Sequence, residues 1–218
     1  CDPSEIGFII MESVQGEGGY IPAPPKMVKD IRSMTKKYGI PLICDEVQSG
    51  MGRTGKWWAY EHYGIVPDIQ SSAKMLQVAA TIANRKWFPK EGSAISSTWG
   101  GGQVLDLAMG AEIIRTIKKQ KLLKNATQRG NQIRKHVNEF CEKEIGAFDA
   151  RGMGLMQAFD LADGEKRNAV QQACFRNGLI VLGCGAQGIR ISPSLNITSG
   201  EVDEGMQIIE KSLKERKG

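Results

Sequence analysis

The chain has 218 residues, of which 41 % are apolar and 24 % charged, with a formal net charge of +5. This balance accommodates one or two hydrophobic cores, and the absence of any apolar run long enough to span a bilayer argues against a membrane protein. Short basic runs such as Lys36-Lys37 and Lys118-Lys119 lie on faces of helical period, with no basic stripe interleaved with aromatics, so nucleic acid is not an expected partner.

Phe8 to Met11 is expected to form a short buried strand, and a buried strand so near Cys1 implies a further portion upstream. A loop rich in Gly and Pro follows, after which Met27, Val28, Ile31, Met34 and Tyr38 mark one face of a helix stopped by Gly39. Pro41 to Cys44 reads as a second strand; beyond the aromatic stretch Trp57 to Tyr63, Pro67 and Asp68 introduce a third, Ile69 to Ala73. Leu105, Met109, Ile113 and Ile117 recur at helical spacing, and a long charged helix is expected from about Leu122 to Lys143. The texture then changes. Arg151-Gly-Met-Gly precedes the apolar Leu155 to Leu161, a helix follows, and Leu179 to Leu182 and Ile189 to Ile191 read as strands. A last helix carries Val202, Met206, Ile209 and Leu213 on one face and opens with a capping box of Thr198 and Glu201. The alternation favours an α/β arrangement with a mostly parallel sheet, followed by a smaller α+β domain.

The cysteines, Cys1, Cys44, Cys141, Cys174 and Cys184, are far apart in sequence and form no C-x-x-C pair, which points to a reducing, cytoplasmic setting. His62 and His136 stand alone, so no metal site is expected.

Gly50 to Trp57 reads GMGRTGKW, matching G-x-G-x-x-G and most of a P-loop at once. A P-loop needs Ser or Thr after its lysine, and Trp57 stands there. A dinucleotide fingerprint needs its glycines to leave a strand directly and open a helix. Here Asp45 to Ser49 intervene, with two carboxylates that would repel phosphate, so the glycines are expected to serve a tight irregular loop.

Asp45 follows the apolar Leu42-Ile-Cys, at the strand end that faces the ligand crevice in open α/β sheets, although a solvated strand end would read the same way. Lys74 sits at the exit of the next extended segment. Pyridoxal 5'-phosphate (PLP) chemistry uses such a pair: the lysine forms the Schiff base and the aspartate keeps the pyridine nitrogen protonated.

Glu12-Ser-Val-Gln-Gly-Glu-Gly-Gly19 is similar to an E-P-x-Q-G-E-G-G loop, Asp45-Glu-Val-Gln-Ser-Gly-Met-Gly-Arg-Thr-Gly55 to D-E-V-Q-T-G-x-G-R-T-G, and Pro67-Asp-Ile with Ala73-Lys74 to P-D-I…A/G-K. Ser97-Thr-Trp-Gly-Gly101 and Ile189-Arg-Ile-Ser-Pro193 add an S-T-x-G-G turn and an R-x-x-P strand. Through these five motifs the chain resembles the class III, PLP-dependent aminotransferases, particularly the 4-aminobutyrate and lysine 6-aminotransferase (ε-aminotransferase) branch.

The resemblance implies fold type I, with 1–118 as the C-terminal part of the large PLP-binding domain and 119–218 as the small domain. It implies Lys74 as the Schiff-base lysine and proton shuttle, Asp45 as the pyridinium partner, Val47 against one ring face and Gln48 at the phenolic oxygen. Thr98 would reach the cofactor phosphate of the other subunit in a homodimer with shared active sites. Arg190 would clamp the α-carboxylate of glutamate or 2-oxoglutarate, and Glu17 would pair with Arg190 when the donor end of the substrate has no α-carboxylate there; the competing reading is a fixed interdomain salt bridge. Glu12 would support the site from behind.

The activity implied is transfer of an amino group from an ω-amino acid, 4-aminobutyrate-like, to 2-oxoglutarate. Lysine 6-aminotransferase and amino-acid racemase or epimerase are alternatives within the family, and a non-catalytic or heteromeric piece is the alternative outside it, because the family's glycine/serine-rich phosphate loop lies upstream of these residues. Ser13 in place of the usual proline, and Met75-Leu-Gln-Val-Ala-Ala in place of a glycine-rich run, depart from the family pattern.

Overall fold

A computed structural model describes residues 2–92 and 101–215. In chain order the regular elements are β1 (Ile9–Glu12), β2 (Val14–Gln15), β3 (Ile21–Pro22), α1 (Pro25–Tyr38), β4 (Leu42–Asp45), β5 (Ile69–Ser72), β6 (Ala80–Ala83) and α2 (Val104–Lys119). They continue with α3 (Leu122–Glu142), β7 (Phe148–Met153), β8 (Met156–Asp160), α4 (Gly164–Arg176), β9 (Leu182–Cys184), β10 (Gly188–Ile191) and α5 (Ser199–Lys214). They fall into two compact units. The first comprises Cys1–Ser13 and Ala23–Lys121, the second Val14–Pro22 and Leu122–Gly218.

In the first unit β1, β4 and β5 run parallel and β6 closes the sheet antiparallel, in the order β1-β4-β5-β6. Parallel neighbours need crossovers, and α1 supplies the one between β1 and β4. This helix ends where the sequence places its stop, at Gly39 with φ 70°, whose amide donates to the Thr35 carbonyl. Only part of its expected apolar face is covered: Val28 is buried, whereas Met27, Met34 and Tyr38 are exposed. The first strand is displaced one residue from Phe8–Met11 and sits at the sheet edge, so it is not the buried strand expected; Phe8 and Ile10 are each 57 % exposed. The glycine- and proline-rich loop after it contains a short hairpin, β2 paired with β3, and this hairpin belongs to the second unit.

The second unit is built on an antiparallel sheet in the order β7-β8-β10-β9. Met156, Ala158, Phe159, Leu161 and Ile189 are buried, and helices α3 and α5 bring Ile133, Val137, Phe140, Val202, Met206 and Ile209 into the same core. Phe140 meets Phe159 edge to face, with ring centroids 6.5 Å apart. The capping box of Thr198 and Glu201 opens α5 as the sequence predicts. The strand expected at Leu179–Leu182 starts later, at Leu182. After α4 the amide of Leu179 is committed to the Cys174 carbonyl and Gly178 adopts φ 88°, so those residues complete a helix end.

Among the described residues no helix is long and apolar enough to cross a membrane.

Candidate functional site

Strand register assembles the first group of side chains. Glu12 on β1 pairs with Asp45 on β4, and Asp45 with Ser71 on β5, at the carboxyl ends of three parallel strands. Directly opposed residues share a sheet face, so the three form one polar row. The row behind it on that face is apolar: Ile10, Ile43 and Ile69. Asp45 is half-buried and oriented from two sides, its Oδ1 accepting the Val47 amide at 2.9 Å and the Ser71 hydroxyl at 3.0 Å. Both bonds go to Oδ1, so the carboxylate is anchored through one of its oxygens.

Lys74 leaves β5 three positions after Ser71, in the turn Lys74–Leu76. Its backbone is left-handed, at φ 44°, and its carbonyl accepts from the Gln77 amide and side chain. A non-glycine residue in this region is strained, and such positions concentrate where side-chain direction matters. Asp45 and Lys74 thus stand at adjacent strand exits, further tied by the Glu46 amide on the Ser71 carbonyl at 3.1 Å. Val47 and Gln48, both half-buried, occupy the turn immediately after β4. Thr98, with most of the turn that carries it, lies outside the described residues.

Glu46, which sequence reasoning treated only as a charge repelling phosphate, is the buried anchor of this region. Its side chain is fully covered. Oε2 accepts the Ala59 amide at 2.9 Å and the Ser49 hydroxyl at 2.8 Å, while Oε1 accepts the Tyr60 amide at 3.0 Å and the Ser13 hydroxyl at 3.4 Å. Burial pushes its carboxyl up from the ordinary range, against the opposing pull of these donors. The carboxylate ties residues 13 and 46 to the far end of the glycine loop. Ser13, the departure from the family proline, is one of its donors.

The glycines follow from the same loop. A Cβ on Gly50 would lie 2.7 Å from the Glu46 carbonyl and 2.8 Å from the Trp58 ring, and Gly52 and Gly55 each adopt φ 92°. No α-helix opens after them, only the short turn Ala59–Tyr63, so the arrangement that either nucleotide motif requires is not built here.

Within the second unit, Arg190 on β10 donates through Nη1 to Glu17 Oε1 in the turn between β2 and β3, and its guanidinium lies 5.9 Å from the Tyr20 ring centroid. Arg190 is largely covered, whereas the Glu17 side chain is 75 % exposed. Burial works against the guanidinium charge, but the Glu17 carboxylate outweighs it and raises the Arg190 pKa above its ordinary value. Among the described residues no group of three or more His, Cys, Asp or Glu is arranged to hold a metal ion.

A family model described as aminotransferase class-III matches residues 2–213. The chain is 34 % identical to the L-lysine-epsilon aminotransferase of Amycolatopsis lactamdurans over 97 % of its own length and 48 % of that protein's. It is 36 % identical to the acetylornithine aminotransferase of Archaeoglobus fulgidus (94 % and 53 % covered) and 33 % identical to the 4-aminobutyrate aminotransferase of Dictyostelium discoideum (96 % and 43 %). Among solved structures, the lysine aminotransferase from M. tuberculosis in the internal aldimine form superposes with a TM-score of 0.87 at 31 % identity, covering 93 % of this chain and 48 % of that one. The chain therefore spans about half the length of the curated relatives it matches.

Proposed function

Because the chain belongs to the class-III aminotransferases, which depend on PLP, we propose that it supplies the aspartate and lysine of a PLP site in a protein that moves an amino group from an amino acid to a 2-oxo acid. One observation carries this reading: Asp45 and Ser71 stand in register at parallel strand ends, and Lys74 leaves the second of those strands three positions on, in a left-handed turn. The fit to the cofactor is chemical. An aspartate anchored through one oxygen suits a protonated ring nitrogen, and an exposed primary amine at the next strand exit suits an aldehyde.

When bound, PLP supplies an aldehyde that condenses with amines and a ring that accepts electron density from the neighbouring carbon. Asp45 holds the proton on the ring nitrogen, and its bonds to Val47 and Ser71 keep the carboxylate from swinging away. Val47 would pack on a ring face, Gln48 would meet the phenolic oxygen, and Glu12 backs Asp45 from the adjoining position of the row. Lys74 would hold the cofactor through its amine and, once released, would serve as the base that moves the proton of the substrate carbon bearing nitrogen. Arg190 binds the α-carboxylate of the 2-oxo acid with its planar fork, and Glu17 occupies Arg190 when the donor presents no carboxylate there. Thr98 serves the cofactor phosphate of a second subunit, so the working form is a homodimer.

The donors named for the relatives, lysine at its ε position, acetylornithine and 4-aminobutyrate, share a primary amine remote from their carboxylate. A terminal amine of this kind, 4-aminobutyrate-like, is the donor class we assign. The test uses the full-length protein with PLP. Borohydride should fix the cofactor to the peptide containing Lys74, and Lys74→Ala should lower kcat at least about a thousandfold. A Lys74→Ala protein that still transaminates at the wild-type rate would overturn the reading.

A further inference from the structure

The Glu17–Arg190 pair requires the exposed turn carrying Glu17 to stay over the sheet carrying Arg190, and hydrogen bonds from outside the pair, chief among them that of the Arg151 side chain, do this. Arg151 on β7 pairs across the sheet with Ala158 on β8, and Ala158 pairs with Arg190 on β10. The two arginines therefore occupy one row and one face of the sheet, about 10 Å apart across two strand spacings, with only a methyl group between them. The hairpin from β2 to β3 presents an acceptor to each. Arg190 takes the Glu17 carboxylate, and Arg151 Nε donates to the Gly19 carbonyl at 2.7 Å.

Both terminal nitrogens of Arg151 are bonded as well. Nη2 binds Asp160 Oδ1 at 2.7 Å, and Nη1 binds the Asp149 carboxylate at 2.8 Å and its carbonyl at 3.1 Å. The guanidinium is thus locked on the sheet before it meets Gly19, and a rigid donor restrains its acceptor better than a mobile one. Gly19 itself has φ 131°, and a Cβ there would lie 2.9 Å from Arg151 Nη2, so the hairpin approaches this arginine as closely as a glycine allows. A second tie, the Gly185 amide on the Glu17 carbonyl at 2.8 Å, fixes the turn on its other side.

We propose that Arg151 is the positioning residue for the substrate exchange at Arg190: by holding the Gly19 carbonyl it keeps the Glu17 carboxylate within reach of Arg190. This rests on the reading of Glu17 and Arg190 as the pair that alternates between donor and acceptor substrates. Without Arg151 the hairpin lifts, Arg190 loses its internal partner, and the half-reaction that needs Arg190 neutralised suffers. The half-reaction in which Arg190 binds a substrate carboxylate does not.

The experiment compares full-length wild-type holoenzyme with Arg151→Met and Arg151→Lys. The two half-reactions are followed separately by the cofactor absorbance, and hydrogen exchange of residues 14–22 is followed by mass spectrometry. Arg151→Met should lower kcat/KM for a terminal amine donor about tenfold, the size expected for loss of a charged hydrogen bond, and should change the 2-oxoglutarate half-reaction less than about threefold. Exchange across 14–22 should rise. An equal fall in both half-reactions, or unchanged exchange, overturns the proposal. If Arg151→Met shows no cooperative unfolding transition, Arg151→Lys decides: a single ammonium nitrogen cannot reproduce the fork that meets Gly19, Asp160 and Asp149 through three separate atoms, so the same asymmetry is expected in weaker form, and wild-type behaviour in all three readouts overturns the proposal. Wild-type protein that transaminates nothing, with the hairpin nonetheless loosened by the variants, would sink the functional reading and leave the restraint by Arg151 standing.

Discussion

Glu46 shows how one buried side chain can organise a whole loop. Each of its carboxylate oxygens accepts one backbone amide, from Ala59 and from Tyr60, so no neutral amide can replace it without turning a donor toward a donor. Glu46→Gln should therefore destabilise the first unit by about 1 to 3 kcal/mol, the cost of one buried unpaired amide, measurable as a shift of the urea midpoint at constant slope. A midpoint equal to wild type would show that the loop re-forms around the amide. The residue was legible as an acid next to Asp45, but its role was not. Nothing in a linear pattern says that a carboxylate will meet amides 13 and 14 positions downstream, because that depends on the loop turning back. Asp45 and Lys74 could be read more directly, since one ends an apolar strand and the other leaves the next extended segment, and the carboxyl ends of such strands face one way in a parallel sheet.

Between elements, Asp68 locks α1 to the start of two strands. Its carboxylate takes Arg32 of α1 at 2.6 Å and the Leu42 amide at the head of β4 at 3.0 Å, while its own amide donates to the Leu42 carbonyl. Burial alone would raise its pKa; the Arg32 guanidinium and the Leu42 amide outweigh this and hold the carboxyl below the ordinary range. A depressed carboxylate adds stability that is present above the unfolded value, about 3.9, and lost as pH falls through the lower folded value. Asp68→Ala should cost about 2 kcal/mol at pH 7, between exposed and buried pairs, and its denaturation curve should converge with wild type in acid. Curves that stay parallel down to pH 2 would contradict the assignment. Elements with a strong local signal matched the sequence closely, as at Gly39 and the Thr198–Glu201 box. Those missed were β2, β3, β6 and β7, of which the first two are two residues long and β7 carries a bulge between Phe148 and Arg151. Such strands are specified by partners far along the chain, as Arg151 is by Ala158 and Gly19, and leave little period to detect.

At the scale of the molecule, apolar surface remains uncovered on both long helices of the first unit. Val104 is 81 % and Leu105 74 % exposed at the start of α2, and Met27, Met34 and Tyr38 are exposed on α1. Surfaces of this kind mark contacts with other protein. The 218-residue chain alone should bind a hydrophobic dye and self-associate in sedimentation, and Val104→Asp with Leu105→Glu should reduce both, since acids are favoured in a first helical turn. Unaltered association would place the sticky surface elsewhere. The helical pattern of α2 was plain in the sequence; that its first turn is exposed was not, because period locates a face and is silent on what covers it.

The hairpin of residues 14–22 also sets an order of events during synthesis. It leaves the ribosome well before its anchors: Gly19 waits for Arg151, 132 residues on, and Glu17 for Arg190, 173 residues on. Closing loops of that length is entropically slow to reward, so the strap is among the last pieces to dock. A ribosome stalled short of β10 would hold the β4 and β5 strand ends already formed while Glu17 still lacks the arginine it faces, so the Glu17–Arg190 pair is completed late.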